Sequence, residues 1–72
     1  MTVRPYPRGW KTQLPALIAA TPGKHSAPMH HRAIAARIGR GVTHTHRLLA
    51  TARYMGMVRF VAEDGVAGWR MQ

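Results

Sequence analysis

The sequence predicts an α+β domain, mostly α, in which three helices precede a C-terminal β-hairpin. Three observations carry this. Apolar residues recur at helical spacing in three stretches. Each stretch stops at a helix breaker: Pro22–Gly23, then Gly39, then Gly56. After Gly56 the apolar period falls from 3.6 to 2, and "EDG" at Glu63–Gly65 breaks the alternation with a turn signal. At 72 residues the chain is one domain at most.

The opening "MTVRPYPRGW" contains Pro5, Pro7 and Gly9, which forbid a regular element. Residues 1–11 read as a basic N-terminal arm and residues 12–72 as the folded domain. The arm carries Arg4 and Arg8. It is either a frayed terminus or a basic segment that lies along phosphates or in a minor groove.

The stretch "WKTQLPALIAAT" predicts the first helix. Thr12 suits an N-cap, because its hydroxyl can accept from free amides of the first turn. Pro15 then falls in the first turn, where a missing N–H costs little. Leu14, Leu17, Ile18 and Thr21 share one face, and Trp10 can staple back onto it. "TPGKHSAP" ends the helix and has room for a very short strand around Ser26.

"MHHRAIAARIG" predicts the second helix, with Ile34, Ala35 and Ile38 inward and Arg32 and Arg37 outward. Gly39 fits the left-handed position that stops it. The third helix starts near Gly41–Thr43 and runs to about Met55. Its core stripe is Thr45, Leu48, Leu49, Ala52 and Met55. The opposite face carries Thr43, His46, Arg47, Ala50 and Tyr54, with His44 on its flank.

In the tail, Met57, Val58, Phe60 and Val61 predict one strand. Val66, Trp69 and Met71 predict the return strand, loosened by Gly68, with Phe60 and Trp69 capping the core.

Charge narrows the function. Lys and Arg number 11 against 2 acids, for a formal charge of +9. Both acids, Glu63 and Asp64, sit in the hairpin turn, so residues 1–62 contain none. Such a chain repels itself and gains most from a polyanion, where phosphate contacts also release counterions. Nucleic acid is therefore the expected partner. An anionic membrane surface would want a long basic amphipathic helix, which is not evident. No apolar run approaches the ~20 residues that span a bilayer, and no apolar leader region opens the chain. The expected location is the cytoplasm, of a bacterium or a phage-infected cell.

Catalysis and cofactors are disfavoured. The chain has one serine, Ser26, no asparagine and no cysteine. Its only paired carboxylates are adjacent in a turn, which is poor acid–base geometry. His44 and His46, two apart on a helix, point ~200° from each other, and His30 and His31 point ~100° apart. No histidine pair has the i, i+4 spacing that binds zinc from one helix, and zinc normally takes three or four ligands. The expectation is no catalytic residue, no metal and no cofactor.

The segments "AIAARIG", "THRLL" and "MGMV" together resemble a winged helix-turn-helix DNA-binding domain of bacterial and phage transcription regulators. The resemblance covers residues 12–71. Its ordered positions are Ile34–Ala35, Gly39, Thr45, Leu49, Gly56 and Met57–Val58, followed by the hairpin wing. The chain departs from the pattern at Arg40, where an apolar residue is usual, and at Gly41, where a Ser or Thr cap is usual. Thr45 replaces the usual Val, so its hydroxyl needs a partner.

The resemblance implies that the third helix docks in the major groove of double-stranded DNA with its first turns at base edges. Thr43, His44, His46 and Arg47 would then read bases. Arg32, Arg37 and Arg40 would meet the backbone, as would Arg53 and Tyr54 further along the third helix. The wing tip carries the acids and so suits a groove poorly, while Arg59 and Arg70 on its stem stay candidates for phosphate. The function implied is sequence-specific DNA binding by a small phage or mobile-element transcription regulator, as a homodimer or by cooperative binding on DNA. The alternatives are an excisionase-like architectural protein, an RNA- or ribosome-binding winged helix, and a winged helix used for protein contact around Met55–Met57. Tyr54 is the only aromatic on the candidate face, which disfavours RNA.

Overall fold

Gly9 starts the first helix. In the computed structural model, which describes residues 9–72, Gly9 adopts φ 73 and caps α1, Trp10–Ala20. The helix thus begins two residues before the expected cap at Thr12. Glycine enters the left-handed region without a Cβ penalty, so the chain turns there. The Thr12 hydroxyl instead donates to the Gly9 carbonyl at 2.9 Å. Trp10 and Lys11, assigned above to an arm, are helical, and Trp10 packs on the core from within the helix. Arg4 and Arg8 lie outside the described residues. Pro15 falls in the second turn of α1 rather than the first. It removes the N–H that would meet the Lys11 carbonyl, on an exposed side of the helix.

α2 spans His31–Ile38 and α3 spans Val42–Tyr54, separated by Gly39, Arg40 and Gly41. His30 caps α2, its Nδ1 accepting from the Arg32 N–H at 3.1 Å. Met29 stays outside the helix because its N–H and C=O both pair with Trp69, at 3.0 and 2.8 Å. This bridge is the strand-like pairing of the α1–α2 connection, and Ser26, where a short strand was expected, sits in a turn. Gly39 closes α2 with φ 69, as expected. Gly41 caps α3 without a side-chain hydrogen bond.

The three helices converge on Leu17, Ile34, Leu48 and Leu49, all fully buried, with Val58 and Trp69 closing the core from the hairpin. Met55, expected on the core stripe, is half exposed. It is the C-cap of α3, and the chain swings away there through Gly56 at φ 78.

β1, Val58–Glu63, pairs antiparallel with β2, Val66–Met71. Glu63 faces Val66, which leaves the two-residue loop Asp64–Gly65. Both loop residues have positive φ, 51 and 78, the signature of a type I′ turn. Asp64 thus takes a left-handed conformation beside the glycine. Phe60 is 51% exposed and does not cap the core, while its partner Trp69 is buried. β2 is the inner strand, paired with β1 on one side and bridged to Met29 on the other, so β1 is the open edge. Gly68 does not loosen β2. A Cβ there would lie 2.5 Å from the Met29 carbonyl carbon, so glycine is what lets the α1–α2 connection reach the strand. The backbone N–H of Met71 donates to the Pro22 carbonyl and ties the hairpin down further.

Candidate nucleic-acid interface

The first turns of α3 form an exposed polar surface free of carboxylates. The helix periodicity buries Thr45, Leu48, Leu49 and Ala52 and so turns Thr43, His46 and Arg47 outward, all exposed. Arg47 lies one turn past Thr43. His44, expected beside them, points elsewhere: it is half-buried, and its Nε2 donates to Gln13 Oε1 on α1. His44 and His46 thus contact different elements, as their ~200° separation requires. Of the four residues expected to read bases, three share the open surface and His44 joins α1 to α3.

The basic residues are spread over all three helices and β1. Every Lys and Arg among the described residues is exposed except Arg70. Arg32 stands in the first turn of α2 and Arg40 in the α2–α3 turn. Arg53 and Tyr54 are exposed in the last turn of α3, about 16 Å along the axis from Thr43 at 1.5 Å per residue. Arg59 is exposed on β1.

Two arginines have structural partners. Arg37 Nη1 donates to the Ala20 carbonyl at 3.3 Å, which places a cation on the C-terminus of α1 and joins it to α2. Beside it lies an open groove of about 530 Å³ lined by Ala16, Ala19, Ala20, Arg37 and Ile38. Arg70 forms a bidentate pair with Glu63, at 3.0 and 2.9 Å, and also donates to the Ser26 carbonyl at 3.1 Å. That pairing neutralises one of the two acids and commits Arg70 to the hairpin, so Arg59 is the stem arginine left for an external anion.

A row of rings joins the elements. His30 stacks on His31 with centroids 4.3 Å apart, and His31 lies 4.9 Å from His46. His46 meets the edge of Trp69 at 6.1 Å, and Trp69 meets Phe60 at 5.4 Å. Burial, and then the neighbouring His30, His46 and Arg32, hold His31 below its ordinary value of 6.5. The sequence offered no sign of this contact. The ~100° separation of His30 and His31 assumed that both are helical, whereas His30 is an extended cap whose ring folds over its neighbour. Among the described residues, no group of three His, Cys, Asp or Glu side chains is arranged to hold a metal ion. No helix among them is long and apolar enough to cross a membrane.

Comparison with known proteins gives no assignment: no family model, no curated protein and no solved structure matches the chain.

Proposed function

We propose that this protein binds double-stranded DNA through the start of α3, as a small regulator of transcription or recombination. The observation that carries the reading is the single sign of charge over residues 9–62, where every Lys and Arg is exposed and no acid occurs. Thr43, His46 and Arg47 project from a helix that carries Arg53 in its last turn and follows Arg32 and Arg40 in the chain, with no acid before residue 63. A +9 chain of this size is drawn to a phosphate polymer. A helix seated in the major groove would offer Arg47 to guanine O6 and N7, and Thr43 to a thymine methyl. α3 carries no Asn or Gln for bidentate adenine reading. The three helices followed by a hairpin suit a winged helix-turn-helix. A phage or mobile-element regulator acting in the cytoplasm fits the size and basicity, by analogy of fold.

Protein contact is the second reading. Tyr54 and Met55, adjacent at the end of α3, are 64% and 46% exposed.

The test is selection of bound sequences from random duplex DNA, followed by Arg47→Ala and Arg59→Ala on the selected site and its single-base variants. Arg47→Ala is expected to flatten preference at one guanine position, an effect of ~1–3 kcal/mol. Arg59→Ala is expected to weaken all duplexes alike. No enrichment in the selection, or equal losses on every variant for Arg47→Ala, would remove α3 as the reading element.

A further inference from the structure

Three imidazoles meet where the cap of α2, the exposed start of α3 and the hairpin converge. His30 and His46 flank His31 at 4.3 and 4.9 Å, and Trp69 closes the row beyond His46. We infer that the His30–His31–His46 stack takes up protons when a phosphate polymer binds beside it, so that duplex DNA is held more tightly in mildly acidic solution. The inference rests on the reading of the α3 start as the DNA-binding surface, because His46 belongs to both.

Burial is the first cause that disfavours a protonated His31, and no counter-charge offsets it. Neighbouring imidazolium ions repel each other at these distances. The groups that act on His31 are His30 and Arg32 from α2 and His46 from α3, and all of them oppose a positive charge there. The hairpin contributes Trp69, which is uncharged. Its acids do not act on His31, and Glu63 is committed to Arg70. In the free protein none of these groups favours a protonated His31. Phosphates laid along the start of α3 supply the absent negative charge and favour it.

The three rings differ in how they can respond. The His30 Nδ1 accepts the Arg32 N–H, so a proton on that nitrogen would break the cap of α2. His31 and His46 hold no such acceptor role among the hydrogen bonds of the described residues, and they are the sites of uptake. Linkage then requires reciprocity: if binding draws in a proton, acid strengthens binding, by up to about tenfold per pH unit for each proton.

The experiment measures the Kd of the full chain for a mixed-sequence 20-base-pair duplex at pH 5.5, 6.5 and 7.5 and fixed ionic strength. Binding is expected to be about tenfold or more tighter at pH 5.5 than at pH 7.5, for uptake of about one proton. His31→Gln and His46→Gln are each expected to bring that ratio toward one. His25→Gln, an exposed histidine outside the stack, should keep it. Firm binding with a ratio within about twofold overturns the inference and leaves the DNA reading standing. So does a ratio that persists in both stack variants. An absence of duplex binding at every pH overturns the DNA reading and the inference with it.

Discussion

Thr45 shows how one atom departs from an otherwise consistent core. Its side chain is fully buried on the inward stripe of α3, and its Oγ1 has no hydrogen-bond partner. Thr21 and Thr51, also buried, donate to the Leu17 and Arg47 carbonyls one turn back. A buried hydroxyl left unpaired costs about 1–3 kcal/mol. Valine has the same shape without that cost, so Thr45→Val is expected to stabilise the protein by about 1 kcal/mol, read from the midpoint of denaturant unfolding. A loss of stability would mean that the hydroxyl is satisfied. His31 gives a second expectation at this scale. Its folded-state value is depressed, so the unfolded chain takes the proton first. The stability linked to it is complete above about its ordinary 6.5 and falls as the pH drops through the lower folded-state value. Unfolding midpoints at pH 7.5 and 5 should therefore differ in that direction without DNA, and His31→Gln should reduce the difference.

Among the elements, the hairpin depends on Gly68 more than on its turn. The close approach of Met29 to β2 leaves no room for a Cβ at 68, where it would fall 2.5 Å from the Met29 carbonyl carbon and 2.6 Å from its oxygen. Gly68→Ala is expected to cost about 1–3 kcal/mol or more through forced displacement of backbone, seen as a lower melting temperature. Gly41→Ala, at φ −64 with open space around it, should cost less than about 1 kcal/mol. Equal effects of the two changes would show that the Met29 bridge is not what holds β2. The number, order and kind of elements were legible in the sequence, because apolar spacing and Gly/Pro breaks act locally. Gly39 and Gly56 fell where a left-handed residue is needed. What escaped were features made by contact between distant segments. Gly68 looked like a weak point in a strand until Met29 lay against it. Phe60 and Trp69 looked equivalent until β2 proved to be the inner strand. The starts of α1 and α2 each moved because a neighbour, Gly9 or the Met29 bridge, decided where the helix could begin. At the candidate site, Thr43, His46 and Arg47 followed from the helical period of α3. The commitments of His44 to Gln13, Arg37 to Ala20 and Arg70 to Glu63 are tertiary, and no local pattern encodes them.

The whole molecule is set apart by its unbalanced charge. A +9 chain must fold with little internal neutralisation, since only Glu63 of its two acids forms a salt bridge among the described residues. The helical core under α3 holds Thr43, His46 and Arg47 in one orientation, and the exposed arginines leave most of their charge for an external polyanion. The most direct measurement is the salt dependence of binding to duplex DNA. Neutralising ~4–6 phosphates predicts a log–log slope of the binding constant against salt of roughly −4 to −5. A binding constant that barely changes between low and moderate salt would contradict the account, because the surface would then not be working through its charge.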